Sequence, residues 1–138
     1  MGAAVYQMEF YESITKDERN EVKLLLKRYP KLSRIVTELR SRPELTPKQQ
    51  ERLNDWGLLV DEIDVAFGLI IDDEVQLIFE HRYMKGLKYS STIDRFWDKH
   101  RRSEKTIDRR IGRGVDTIAE HLKLCGIVGK SDGRLTVM

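Results

Sequence analysis

Six arginines and lysines, two carboxylates and two glycines fall in the stretch RRSEKTIDRRIGRG, Arg101 to Gly114. Side chains of these types bind phosphate and read base edges, because arginine and lysine donate to guanine and a carboxylate accepts from the amino group of cytosine. Ile107, Ile111, Val115, Ile118 and Leu122 recur at helical intervals through and beyond the stretch. Turning that stripe inward leaves Glu104, Lys105, Asp108, Arg109 and Arg113 on the outer arcs. With Ser103 at the helix start, these are the candidates for contacts to bases. Lys85, Lys88, Lys99, Arg101, Arg102 and Thr106 are the candidates for phosphate contacts, which position a protein on a duplex without specifying sequence. The free N–H groups of the helix start favour a phosphate as well. Gly112 and Gly114 each cost roughly 1 kcal/mol inside a helix relative to alanine, which fits a site where another backbone, of protein or DNA, passes close by.

No constellation points to catalysis. His81, His100 and His121 are scattered, and none stands in a metal-binding spacing such as HExxH. Cys125 has no activating base near it in sequence and reads as a small apolar residue at a helix end. Asp61 and Glu62 read as a solvated face, Asp72 and Asp73 as a helix cap, and there is no glycine-rich phosphate loop. The expectation is a protein that is not an enzyme and needs no cofactor and no metal. One cysteine in 138 residues excludes an internal disulfide and points to a reducing, intracellular setting. No apolar run approaches the roughly 20 residues of a membrane helix, and the first residues lack the basic and apolar regions of a signal peptide. A cytoplasmic chain with no membrane contact is expected.

The net charge of +2 conceals a strong asymmetry. Residues 1–81 carry 11 Lys/Arg against 16 Asp/Glu, a net of −5, whereas residues 82–113 carry 11 against 4, a net of +7. Concentration of positive charge in one part of a chain is a mark of nucleic-acid contact by that part.

The elements that must position the basic block can be traced by their caps. The first dozen residues show no period and read as a weakly docked arm. Thr15-Lys16-Asp17-Glu18 is a capping box opening a helix with Val22, Leu25, Leu26 and Tyr29 on one face. Pro30 is expected to end it and to begin a second helix, with Leu32, Ile35, Val36 and Leu39, that stops before Pro43. Thr46-Pro47-Lys48-Gln49 opens a longer helix in which Leu53, Trp56, Val60, Ile63, Phe67 and Ile70 alternate by threes and fours. That heptad-like seam serves either as an internal core face or as a self-association surface giving a homodimer. Asp72-Asp73 starts a helix reaching Tyr83 or Met84, and Gly86 ends it. Thr92 to His100 forms a short helix, Ser103 caps the next one, and Gly126 stops it after about Leu124. The tail, IVGKSDGRLTV, reads either as a small hairpin or as a frayed terminus.

A short helix, a tight turn and a longer basic helix make a helix-turn-helix, whose second helix enters the major groove. The run from Asp73 through His81-Arg82-Tyr83 to Gly86 and Tyr89, followed by Ser103-Glu104-Lys105-Thr106-Ile107 and Arg110, resembles region four of bacterial sigma factors. In that family an "RY…G…Y" phrase precedes a recognition helix opening "S..T[VI]..R". The small size and acidic helical front half are most similar to phage late-gene transcription activators of the RinA and ArpU type. The module resemblance covers residues 73–122. Trp97 stands where the family has a small residue, and Arg101 where it has a turn glycine. The resemblance implies promoter DNA as ligand and RNA polymerase as partner.

The expected fold is therefore all-α, with residues 1–72 as a helical region whose seam serves either the core or self-association, and 73–138 as the helix-turn-helix DNA-binding domain ending in either a short hairpin or a frayed terminus. The expected function is sequence-specific transcription regulation. Two alternatives remain at this point: a phage small terminase subunit, which would assemble as a large ring, and a sigma or anti-sigma adaptor whose basic face meets an acidic protein.

Overall fold

The computed structural model describes residues 13–100 and 103–129, with the side chains of residues 98–100 left aside. Five helices fill that span, and no strand occurs among the described residues: α1 (Lys16–Ser41), α2 (Pro47–Gly68), α3 (Asp73–Phe79), α4 (Tyr89–His100) and α5 (Glu104–Leu124). A π turn, Glu80–Met84, continues α3. The all-α class is as expected. The N-terminal arm, residues 1–12, and most of the expected hairpin, residues 130–138, lie outside the described residues.

The capping signals act as the sequence implies. Thr15 and Thr46 each accept from the backbone N–H three residues on, at 3.1 Å, while Glu18 and Gln49 reach back to the cap N–H. Asp72 accepts from the N–H groups of Glu74 and Val75 at 2.9 and 3.1 Å, and Ser103 from that of Thr106 at 3.1 Å. Gly126, with φ +76°, turns the chain beyond α5.

Pro30 does not end a helix. It sits inside α1, which runs unbroken for 26 residues. Proline removes one ladder hydrogen bond and crowds the preceding turn, yet Val22, Leu25, Leu26, Tyr29, Leu32, Val36 and Leu39 form one continuous buried stripe across it. Two helices meeting at an angle would break that stripe, so tertiary burial overrides the local penalty. The Tyr29 hydroxyl, next to the proline, donates to Asp64 of α2, and Arg40 holds Asp61 at 2.8 Å. These contacts clamp α1 and α2 as an antiparallel pair. α4 also departs from expectation, starting at Tyr89 rather than Thr92.

The centre of the molecule is α5. Ile107, Ile111, Val115, Ile118, Ala119 and Leu122 are buried on it, and α1, α2, α3 and α4 all lie against it. One hydrophobic cluster takes in residues from Val22 to Val128, on both sides of the 72/73 boundary. The α2 seam contributes to that cluster: Val60, Ile63 and Ile70 are buried, and Leu53, Trp56 and Phe67 pack half-buried against them. Its apolar period is accounted for by the core of a single chain.

Candidate nucleic-acid interface

Two contacts to His81 hold α4 on the π turn. Thr92 is fully buried and Phe96 nearly so, and both meet His81 of the π turn. The Thr92 hydroxyl donates to the Lys88 carbonyl at 3.3 Å, so the 2.9 Å bond between Thr92 Oγ1 and His81 Nδ1 requires the proton on Nδ1. The Phe96 ring meets the imidazole edge-on, with centroids 5.8 Å apart. Burial, followed by the nearby charges of Arg95 and Lys85, holds the His81 pKa below its ordinary value. A neutral histidine therefore anchors α4.

The start of α5 is fixed by its inner face and by two acidic residues. Arg110 turns away from the outer face toward α3, 3.2 Å from Glu74 and 3.5 Å from Asp72. Its Nε meets Glu74 as an ion pair without the alignment of a hydrogen bond. Asp72 is kept below the usual carboxylate range, first by the N–H of Val75 that it caps and also by Arg110 and Arg113.

The outer face holds the predicted base-contacting residues. Ser103, Glu104, Lys105, Asp108, Arg109 and Arg113 are all exposed. Lys105, Arg109 and Arg113 fall four residues apart along one stripe, and among the described residues neither Lys105 nor Arg109 has a hydrogen bond or ion pair. The Ser103 hydroxyl is engaged in the cap and donates to Thr106 Oγ1 at 2.9 Å. Asp108 accepts from the Tyr89 hydroxyl at 3.1 Å. Partial burial, followed by this carboxylate, pushes the Tyr89 pKa up to about 12, so the phenol keeps its proton and keeps holding Asp108.

The predicted phosphate contacts divide. Lys85 and Lys88 are exposed beside the π turn and before α4, with Lys85 3.9 Å from Glu80. The Lys99 side chain, Arg101 and Arg102 lie outside what is described. Trp97 points outward and is 55% exposed.

Sequence reasoning missed a second basic feature. Lys27, Lys31 and Arg34 of α1 join Arg82 and Lys85 of the π-turn region around an open groove of about 400 Å³ floored by Leu26, Pro30, Tyr83 and Gly86. Gly86 has φ +69°, and a β-carbon there would lie 2.8 Å from the Pro30 ring, so the floor closes only with glycine at that position. The spacing of Lys27, Lys31 and Arg34 by four and three was legible as one helix face. It was masked by the acidic total of the front half.

The chain matches no family model, no curated protein and no solved structure. No helix among the described residues is long and apolar enough to cross a membrane.

Proposed function

We propose that the protein is a sequence-specific DNA-binding transcription regulator that lays the first turns of α5 in the major groove near a promoter. The observation that carries this reading is the pair Lys105 and Arg109: exposed cations, without a partner among the described residues, on a helix whose opposite face is locked into the core. Arg110, by contrast, is turned to the inner side and paired with Asp72 and Glu74, so the cations left on the outer face are the ones free to meet a ligand. The charge supports the reading too, since residues 82–113 carry +7. The α1 groove adds cations suited to the phosphate backbone, which contributes affinity but not sequence preference. The resemblance to late-gene activators extends the reading to RNA polymerase as protein partner.

The test is duplex binding at several salt concentrations, followed by selection from a random pool. Wild-type affinity should fall steeply with salt, with a log–log slope of roughly −0.9 per phosphate contact. Lys105→Ala/Arg109→Ala should lose sequence preference, at about 1–3 kcal/mol for each good base contact. Lys31→Ala/Arg34→Ala should make the salt slope shallower and leave the preferred sequence unchanged. Absence of duplex binding at low salt would sink the proposal and give the lead to a protein-binding adaptor.

A further inference from the structure

At the far end of α5 from Lys105, His121 and Cys125 stand four residues apart on one side of the helix end, with Nε2 and Sγ 3.5 Å from each other. Glu62 of α2 reaches the same point, its Oε1 2.9 Å from His121 Nε2. Among the described residues this is where three metal-ligating atoms converge, all within 4.8 Å of one another. Two other carboxylates, near Glu62 and near the start of α3, have structural employment. Asp61 pairs with Arg40, and Asp72 caps α3.

We propose that Glu62, His121 and Cys125 form a binding site for one zinc ion. Tetrahedral zinc with bonds of about 2.0 Å to nitrogen, 2.1 Å to oxygen and 2.3 Å to sulfur separates its ligand atoms by about 3.4–3.6 Å. The histidine–cysteine distance already meets that, and the histidine–glutamate pair needs to open by about half an ångström. Thiolate, imidazole and carboxylate together suit a borderline ion, whereas magnesium and calcium take oxygen ligands. One carboxylate and one thiolate would balance the two positive charges of the ion.

Two of the ligands sit on packed helices and are largely covered, with 15% of the His121 and 28% of the Glu62 side chain exposed. Cys125 is exposed, which gives an ion a path in and leaves a fourth coordination position to water. Binding displaces the thiol proton to solvent. It also requires the proton that His121 Nε2 shares with Glu62 to move to Nδ1 through exchange with solvent, so that a neutral imidazole offers Nε2 to the ion. The zinc–nitrogen, zinc–oxygen and zinc–sulfur bonds then form with no change of oxidation state. The bound ion would tie the middle of α2 to the end of α5 across 59 residues of sequence. The site stands on its own geometry and does not depend on the DNA reading.

The experiment is a cobalt titration of the tag-free, reduced full chain, followed by zinc. Expected are the visible bands of tetrahedral cobalt, a thiolate-to-cobalt charge-transfer band, a stoichiometry of one ion per chain, displacement by zinc, and a thermal midpoint that climbs with zinc concentration. Cys125→Ser should abolish the charge-transfer band and His121→Gln the tetrahedral spectrum, while both keep the wild-type helical circular dichroism. Glu62→Gln should weaken cobalt affinity by on the order of tenfold or more. A wild-type protein with no charge-transfer band overturns the proposal. So does a charge-transfer band that survives in Cys125→Ser, or one ion per two chains, which would mean ligands shared between copies.

Discussion

Gly114 of α5 lies against the ring of Phe79 in α3 so closely that a β-carbon at Gly114 would sit 2.5 Å from Phe79 Cδ1. The close approach that this glycine serves is thus made by a buried aromatic ring of the same chain, not by a passing backbone. Gly112, two residues earlier, has nothing within 4 Å of the equivalent position. The two glycines therefore predict opposite outcomes. Gly114→Ala overpacks a fully buried ring and should destabilise by about 1–3 kcal/mol, whereas Gly112→Ala should stabilise by up to about 1 kcal/mol. Urea denaturation midpoints of the two variants check the pair.

His81 predicts a pH dependence. Its pKa is lowered in the folded state, so the unfolded chain takes up the proton more readily. The stability this neutral histidine contributes is present above the ordinary histidine value near 6.5 and is lost as pH falls through its lower folded value. Thermal midpoints should drop between pH 7.5 and 5.5, and His81→Gln should flatten that drop. An unchanged slope in the variant would show that another group governs it.

Asp72 caps α3 and also faces Arg110. Asp72→Ala should cost about 1 kcal/mol through the lost cap alone. It also removes a negative charge whose field reaches Arg110 and Arg113. On the proposed function, non-specific duplex affinity at low salt should rise even as stability falls, which a binding isotherm beside a melting curve would resolve.

Trp56 has a buried indole N–H with no acceptor among the described residues, while the Arg52 guanidinium lies 5.6 Å from its ring centroid. Trp56→Phe removes an unsatisfied donor and should be neutral within about 1 kcal/mol. The variant leaves Trp97 as the remaining tryptophan. Its emission should be that of a solvent-exposed indole and should be readily quenched by acrylamide.

Much of the architecture could be read from the caps, since Thr15, Thr46, Asp72, Ser103 and Gly126 use local chemistry that a sequence carries whole. Pro30 was misleading because its cost is local and its compensation, the shared stripe from Val22 to Leu39, is tertiary. The α2 seam was legible as a period but not as a destination, because the same spacing suits a partner helix from its own chain or from another. Of the proposed zinc ligands, His121 and Cys125 stand four residues apart in the sequence but read there as a scattered histidine and an apolar helix-end residue, whereas their side chains meet at 3.5 Å. Glu62 arrives through the packing of α2 on α5. The outer face of α5 was legible because Ile107, Ile111 and Val115 define the inner one.

The position of α5 has a consequence for how this protein can be taken apart. Its outward cations sit near one end, while Arg19 holds Asp116 at 2.7 Å and Glu18 holds Lys123 at 3.0 Å, so α1 grips the other. A fragment cut at Asp73 would keep every proposed base contact and lose the walls against which their helix is set. Exchange of specificity between such proteins would then proceed by repainting exposed positions on an intact bundle, not by moving a detachable cassette.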